Sequence, residues 1–273
     1  VPDGARKFTN RIFKISLATG TLSQVTVKGG WHWDRGTGLH VINSTFTLDG
    51  CSIVSNTLNG LNLEYMNMYG AGLYATNSTI VISNCNFTSN LIWNAQRRSN
   101  NQGGGCYLLS GNAMIVNSQF LYNKSAGGGG AGIPDYSSYG GAVYTGTKCP
   151  LTISNCLFIG NEATVDYGPA AGGTIYAGTN LTMYMSVVSG GVVSNSAEGT
   201  AKGGGIYAGA GSKATLSNVL LANNILRENG SIAYMGAGLC LYTNALQMNA
   251  CTVVGNSGGG IYINGVTTFG VTN

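Results

Sequence analysis

Charge, histidine and proline are all scarce in this sequence. Its 273 residues include 13 Lys and Arg, 9 Asp and Glu, 2 His and 4 Pro, and charged residues make up 8% of the chain. Globular proteins usually carry about 25%. Amides and hydroxyls must therefore solvate most of the surface. The net charge of +4 is small and no Lys/Arg run with interleaved aromatic residues occurs, so we expect no nucleic-acid partner.

Long apolar segments and metal-binding patterns are missing as well. No run of about 18 apolar residues is present, so we expect no membrane span. No Cys-x-x-Cys pattern suggests zinc, and the 9 acidic residues are too scattered for a calcium site. We therefore expect no cofactor and no metal. The 7 cysteines are odd in number, and four of them share one repeat position, which favours free buried thiols over disulfides.

Glycine and asparagine, in contrast, recur at a regular spacing. A Gly-x-x-apolar tetrapeptide, here called the opener, returns about every 33 residues in a chain that holds 44 Gly. The openers begin at Gly36, Gly70, Gly103, Gly140, Gly172, Gly203, Gly236 and Gly258. The segments that follow close on Asn56, Asn90, Asn123, Asn161, Asn195, Asn224 and Asn256. Self-similarity at this period indicates one supersecondary unit stacked on itself.

Alternation of apolar and polar residues predicts that these units are strands. The third residue before each closing asparagine is apolar: Ile53, Phe87, Phe120, Phe158, Val192, Leu221 and Val253. A period of two places these side chains in a core. We predict an all-β fold, a single-stranded right-handed parallel β-helix of about eight coils. Residues 36–273 form this helix, and residues 1–35 form an N-terminal strand or cap segment.

Two columns of side chains follow from this fold. The closing asparagines are expected to form a buried ladder, in which each amide bonds to the next coil. The residue after each opener is usually tyrosine, and because the apolar residue before it points inward, this column is expected to point outward. The tyrosines are Tyr74, Tyr107, Tyr144, Tyr176, Tyr207 and Tyr262.

Several Asn-x-Ser/Thr sequons are candidates for glycosylation. Asn43, Asn77 and Asn180 fall at one turn of the repeat, before its second strand, and would line one edge of the rod. Asn229 is a fourth candidate. Use of these sites would imply a secretory route.

Half of the charged residues lie between a closing asparagine and the next opener. They are Glu64, Arg97, Arg98, Lys124, Asp135, Glu162, Asp166, Glu198, Lys202, Arg227 and Glu228. Loops on a rigid scaffold often carry function. Asp166, Glu198 and Glu228 could supply the carboxylates of a glycoside hydrolase, and Lys202 and Arg227 could assist a polysaccharide lyase. We favour solvating charges, with no catalytic residue and no enzyme, because the strands hold almost no acids.

Short motifs in the repeats resemble those of a known family. Phe87-Thr-Ser-Asn90, Phe120-Leu-Tyr-Asn123 and Phe158-Ile-Gly-Asn161 are similar to the Phe-x-x-Asn repeats of the chlamydial polymorphic outer membrane proteins, and Gly140-Gly-Ala-Val143 to their Gly-Gly-Ala-aliphatic repeats. Those proteins are autotransporter adhesins with β-helical passenger domains. The resemblance implies a β-helix with an extracellular adhesive or structural role.

The sequence thus favours an extracellular or cell-surface structural or adhesive protein. The last coil, from Gly258 onward, has no charged segment to cover it, so we expect a homo-oligomer or a filament built by head-to-tail contacts between coil ends. A cell-surface or glycan ligand is a further expected partner. The alternative is a carbohydrate-active enzyme or sugar-binding module that uses the loop edge.

Overall fold

Strands are the only regular elements of the described chain. The computed structural model describes residues 10–60, 67–94, 99–128, 137–195, 199–209, 211–228, 235–242, 245–265 and 267–273. In these ranges strands from successive coils pair in parallel and in register. The predicted all-β parallel β-helix is confirmed. No helix in the described part could cross a bilayer.

The strands of the described residues fall into five columns, named here in chain order from the opener. The opener column holds Phe13–Ser16, Leu39–Ile42, Leu73–Thr76, the start of Cys106–Val116, Val143–Lys148, Ile175–Ala177, Ile206–Ala208, Leu239–Leu241 and Ile261–Ile263. The second column holds Thr19–Ser23, Thr45–Asp49, Ser78–Ser83, the rest of Cys106–Val116, Leu151–Ser154, the starts of Leu181–Ser189 and Lys213–Ala222, Ala245–Asn249 and Thr268–Thr272.

The remaining columns continue around the coil. The third column holds Thr26–Lys28, Ser52–Val54, Asn86–Thr88, Gln119–Leu121, Leu157–Ile159, the ends of Leu181–Ser189 and Lys213–Ala222, and Thr252–Val254. The fourth holds Trp31–His32, Thr57–Asn59, Leu91–Asn94, Lys124–Gly127, Glu162–Val165, Val192–Asn195 and Ile225–Glu228. The fifth holds Met68–Tyr69, Asn100–Gln102, Ser137–Tyr139, Ala170–Ala171 and Ala201–Lys202.

Residues 10–35 stack on the helix as one more coil. Phe13 pairs with Leu39, and Val27 pairs with Ile53, in the same register that later coils keep. The opener column therefore has one strand more than the eight openers, because its first strand precedes Gly36. Trp31, within the predicted N-terminal strand or cap segment, lies in the first strand of the fourth column and pairs with Thr57.

The main core is enclosed by the opener, second and third columns. Phe87, Phe120 and Phe158 are fully buried and stack with ring centroids 4.7 and 5.0 Å apart. Burying such a side chain stabilises the fold by roughly 1.5–3 kcal/mol. The seven cysteines are free, and all but Cys251 are buried. A smaller core, which includes Val165, Val193 and Ala201, lies between the fourth and fifth columns.

Tight corners explain why the openers begin with glycine. Gly70 has a φ of 61°, a left-handed conformation that most residues avoid. A Cβ at this position would also overlap the carbonyl oxygen of Leu73. Gly103, Gly140, Gly172 and Gly203 share both features. The opener therefore marks the sharp corner between the fifth column and the opener column.

One coil departs from the register predicted by the asparagine count. Phe158 pairs with Val188, so Val188 and not Val192 fills the core position of that coil. Val192 instead pairs with Glu162 in the fourth column, and Asn195 pairs with Val165. The predicted positions of Val192 and Asn195 were therefore wrong. The closing residue of this coil is glycine rather than asparagine, and the next asparagine along the chain lies four residues too late.

Candidate functional site

A ladder of amides, buried in all but its last member, runs along the turn between the third and fourth columns. Its members are Asn56, Asn90, Asn123 and Asn161, and then Asn224 and Asn256. In a typical rung, Asn90 Nδ2 donates to Asn123 Oδ1 at 2.9 Å and to the Ile53 carbonyl at 2.8 Å. Asn123 Oδ1 also accepts from the Asn90 backbone N–H at 3.1 Å. The amides are satisfied by neighbouring coils, which makes the ladder structural.

Gly191 interrupts this ladder, because it occupies the ladder position on the coil that follows the coil of Asn161. Its backbone N–H donates to Asn224 Oδ1 at 2.9 Å, as the other members do. A Cβ at Gly191 would overlap Thr174 Oγ1 and would lie 2.5 Å from the Gly204 carbonyl oxygen. Asn195, predicted as a rung, lies in the fourth column and donates to the Gly168 carbonyl. Close approach of the opener backbone has therefore replaced the amide on this coil.

A second asparagine ladder, which the sequence reasoning missed, lies on the outside. Asn84 Nδ2 donates to Asp49 Oδ1 at 2.8 Å, and Asn155 Nδ2 donates to Asn117 Oδ1 at 3.0 Å. Asn117 reaches Asn84 at 3.4 Å. The three asparagines have φ values of 50–54° at the corner between the second and third columns. The sequence signal for this second ladder is the asparagine that lies six residues before the closing asparagine. Asparagine tolerates a positive φ better than most residues do.

The most distinctive surface is a file of stacked tyrosines beside the opener glycines. We call Tyr74, Tyr107, Tyr144, Tyr176 and Tyr207 the tyrosine file. Neighbouring rings in it lie 4.8–5.3 Å apart between centroids, with interplanar angles of 2–24°. In-register pairing in the opener column sets this spacing, because each tyrosine pairs with the next.

The fifth column supplies a second layer against the tyrosine file. Tyr69 stacks on Tyr107 at 4.6 Å, and Tyr139 lies 4.8 Å from Tyr176. Tyr74 and Tyr107 are consequently only 4% and 5% exposed. The file lies outside the main core, as predicted, but these two members are covered by the fifth column instead of facing solvent. The corner at the opener turns the fifth column back against the file.

Burial changes the acidity of these phenols. It raises the pKa of Tyr144 and of Tyr207 to about 12, and raises the pKa of Tyr107 and Tyr176 further. The phenols therefore remain protonated and neutral at physiological pH. Rings in such a file provide apolar contact and hydroxyl groups, rather than a nucleophile or a base.

Cations lie at both ends of the aromatic surface. Near one end the Arg35 guanidinium is 5.4 Å from the Tyr74 ring centroid, and its Nε atom is 2.7 Å from Asp34 Oδ1. At the other end Lys202 Nζ is 4.7 Å from the Tyr242 ring centroid. Such contacts stabilise by about 0.5–1 kcal/mol at exposed sites. At the Arg35 end the Asp34 carboxylate offsets the charge of the guanidinium.

His40 continues the file below Tyr74 and is the least expected group in it. Its ring is 4.9 Å from that of Tyr74 in an edge-to-face contact. The side chain is 7% exposed, and neither ring nitrogen has a hydrogen-bond partner in the described part of the chain. Burial, helped by Arg11 and Arg35, lowers the pKa of His40 to about 4. A neutral imidazole in an aromatic file is the result.

Comparison with known families matches this geometry. The model of the right-handed β-helix region matches residues 15–273. The chain belongs to this β-helix family. No curated protein and no solved structure matches it. The match also includes most of the segment before Gly36, in agreement with its in-register pairing. This match supports the β-helical architecture that the resemblance to the chlamydial proteins implies.

Four residues of the alternative catalytic set lie in or beside the fourth and fifth columns of this β-helix. Asp166 is exposed just after a fourth-column strand, and Arg227 is exposed within one. Lys202 lies in the fifth column beside Tyr242. Glu228 pairs with Asn195 in the fourth column, and Glu198 lies outside the described residues. Lys202 and Arg227 thus stand in different columns, and no group of three metal-binding side chains occurs in the described ranges.

A serine-hydrolase motif in the β-helix lacks a histidine. Gly255-Asn256-Ser257-Gly258-Gly259 fits the Gly-x-Ser-x-Gly pattern, which requires a partner base. The chain's histidines, His32 and His40, lie on the first two coils, whereas Ser257 pairs with Ile225 near the other end. Asn256 within the motif is the last, partly buried rung of the asparagine ladder. The pattern is therefore a turn of the repeat.

Three glycosylation candidates lie where the repeat placed them. Asn43, Asn77 and Asn180 are exposed at the turn between the opener and second columns. Asn77 Oδ1 accepts from Ser110 Oγ at 2.6 Å, and Asn180 Oδ1 accepts from the Lys213 backbone N–H at 2.9 Å. Asn229 lies outside the described residues. Attachment of sugar to any of the four stays a prediction.

The last coil of the β-helix exposes apolar side chains. Ile261 and Ile263 lie on its opener strand, and Phe269 and Val271 lie on its second-column strand. Phe269 and Val271 are 59% and 58% exposed. These strands pair with Leu239–Leu241 and Ala245–Asn249 on one side. Within the described residues no strand pairs with their other edge.

Proposed function

We propose that this β-helix is an extracellular or cell-surface, non-enzymatic unit for adhesion or structure, which assembles by stacking coil ends. The observation that carries the proposal is the apolar last coil, with its unpaired strand edges. From Thr252 to Asn273 it has no charged residue to oppose pairing. Proteins usually protect such an edge with charge, proline or a covering segment.

A second copy of the chain is the occupant that we propose for this end. The first coil presents the complementary edge, because Phe13–Ser16 and Thr19–Ser23 pair only with the following coil in the described chain. Phe13, Ile15 and Leu22 are only partly buried. Stacking the first coil of one copy on the last coil of another would extend the columns at the usual spacing of about 4.8 Å.

Such a contact joins two different surfaces and does not close on itself. Heterologous contacts of this kind generate rings or open filaments, and translation along a rod axis gives a filament. The interior of the rod also supports a structural role, since its amide ladder and phenylalanine stack continue from coil to coil. The competing occupant of the last coil's open end is a set of further coils from a longer chain.

The alternative role, in binding or cleaving a carbohydrate, has one observation in its favour. Arg35 and Lys202 stand at the two ends of an aromatic surface, where an acidic sugar could pair with them. Glycan turnover by the purified protein, lost when Asp166, Glu198 and Glu228 are changed together to their amides, would contradict the non-enzymatic assignment.

The proposal predicts that one charge on the last coil prevents assembly. We expect native mass spectrometry and negative-stain images at micromolar concentration to give end-to-end oligomers. Phe269→Lys should give monomers, because the ammonium would be desolvated in the contact. Met185→Lys is the matched control, since Met185 is equally exposed, at 59%, on the lateral surface; it should still assemble.

Three outcomes would overturn the proposed assembly. These are a native protein that is monomeric at every concentration, equal effects of the two substitutions, and a longer form that covers the last coil and stays monomeric. Loss of folding in Phe269→Lys would be visible by circular dichroism. In that case Val271→Lys, on the same strand, repeats the test.

A further inference from the structure

Two Asn-Gly pairs in the described part of the chain differ in how their backbone is held. In the first pair, Asn59 ends a fourth-column strand and pairs with Trp93, and the Gly60 N–H donates to the Trp93 carbonyl at 3.1 Å. Gly60 is buried, and a Cβ there would lie 2.9 Å from the Asn94 amide. The first pair is therefore fixed within the sheet.

The second pair, Asn264 and Gly265, lies on the last coil and is held on one side only. Both residues are exposed, and they follow the opener strand Ile261–Ile263. The Asn264 N–H donates to the Leu241 carbonyl at 2.9 Å, whereas the Gly265 N–H has no hydrogen-bond partner among the described residues. Gly265 has a φ of 73°, and a Cβ there would meet no atom within 4 Å. Its backbone nitrogen is therefore open to reaction and to water.

We propose that Asn264 deamidates and that its isoaspartate product limits the end-to-end assembly proposed above, on which this inference rests. The Gly265 nitrogen attacks Cγ of Asn264, the bond from Cγ to the side-chain nitrogen breaks, and the Gly265 proton leaves with that nitrogen as ammonia. One water then opens the remaining five-membered succinimide at either carbonyl, which gives aspartate or isoaspartate. The net exchange is one NH2 for one OH, and the new carboxyl ionises at neutral pH.

The two products disturb the last coil to different degrees. Continuing the register of the opener column across the proposed contact places Asn264 opposite Ser16 of the next copy. An aspartate there adds a charge, which Lys14 of the next copy, two residues along the strand, can offset. Isoaspartate also routes the main chain through the side chain, so it lengthens the backbone by one atom before the strand Thr268–Thr272. A next copy can then no longer pair in register with both strands of the last coil.

Assembly should in turn protect this site. The carbonyl that holds Gly60 belongs to the following coil, and within the described residues no coil follows Gly265. The first coil of a next copy would supply the missing coil. We therefore expect deamidation to be slower in assembled protein than in dilute protein, so that it acts on free ends and spares the interior of a filament.

The test ages dilute wild-type protein in warm, mildly alkaline buffer. Peptide mapping by mass spectrometry measures conversion at each asparagine, and an isoaspartyl methyltransferase labels the isoaspartate. We expect Asn264 to convert at least about tenfold faster than Asn59, because intramolecular attack needs a geometry that the sheet denies to Asn59. Native mass spectrometry after concentration should give end-to-end oligomers of fresh protein and monomers of aged protein.

Two variants isolate the site. Asn264→Gln keeps an amide but would need a less favourable six-membered ring, so the aged variant should still assemble. Asn229→Gln removes a third Asn-Gly pair, at a position outside the described residues, and should age as wild type does. Fresh wild type that stays monomeric would contradict the proposed function and this inference together. Conversion of Asn264 no faster than that of Asn59, aged wild type that still assembles, or loss of assembly in aged Asn264→Gln would overturn this inference alone.

Discussion

At the scale of single residues, His40 illustrates how a repeat position shapes chemistry. The same position holds Tyr74 and Tyr107 on the next coils, so the site is built for a neutral aromatic ring. A charged imidazolium there would lose water and face Arg11, Arg35 and Lys14, with Asp34 as the opposing charge. Protonation is therefore disfavoured in the folded chain. The physical cause is burial first and cationic neighbours second.

This environment predicts an acid sensitivity that belongs to His40. The folded pKa of about 4 lies below the ordinary value of 6.5, so the unfolded chain binds more protons between these values. The free energy of unfolding should fall by up to about 3 kcal/mol as pH drops from 6.5 to 4, and no further from this group below pH 4. Denaturant unfolding of wild type and His40→Tyr across this range measures it.

The tyrosine variant should lose that part of the pH dependence and keep the rest. His32→Gln serves as a control, because it should retain the His40 contribution. Identical pH profiles for wild type and His40→Tyr would show that His40 is protonated equally in both states.

At the scale of elements, the turn after the third column shows that one position can be filled in two ways. Most coils place an asparagine there, and its amide bridges to the next coil. The coil that closes at Gly191 omits the amide, and Thr174 of the opener occupies the space, with an Oγ1 that has no hydrogen-bond partner in the described residues. Any side chain at Gly191 must therefore displace neighbours.

We accordingly expect Gly191→Ala to destabilise the protein by about 1–3 kcal/mol, as overpacking does. Its new Cβ would meet Thr174 Oγ1 and the Gly204 backbone. Gly209→Ala is the matched control, since its nearest neighbouring atom would be 3.5 Å away, an ordinary contact. Chemical denaturation of both variants measures the difference. A cost for Gly191→Ala within 0.5 kcal/mol of the control would contradict this packing.

The same turn shows where sequence reasoning works and where it stops. Alternation around Phe87, Phe120 and Phe158 predicted the core column, because strand period and burial are local properties. Asn195 was misplaced because no local signal distinguishes a missing rung from a late one. Burial of Tyr107 was also missed. It depends on Tyr69, in a two-residue strand whose position is set by the opener corner rather than by its own pattern.

At the scale of the whole molecule, the solenoid distributes stability along its axis. Each coil contacts the coils before and after it, so middle coils have two neighbours and end coils have one among the described residues. Phe120 is stacked on both faces, whereas Val253 is only partly buried near the exposed last coil. Local opening should therefore begin at the end that carries Phe269 and progress inward.

Amide hydrogen exchange should reveal this gradient. At concentrations where the protein is monomeric, we expect strand amides in Asn86–Thr88 and Gln119–Leu121 to exchange slowest, and those in Ile261–Ile263 and Thr268–Thr272 fastest, because opening the last coil breaks one interface instead of two. At concentrations that allow end-to-end stacking, protection should rise in the last coil alone, while Phe269→Lys should show no such rise. Uniform exchange along the rod would mean that the coils open together, and unchanged exchange at the last coil on assembly would mean that the contact lies elsewhere.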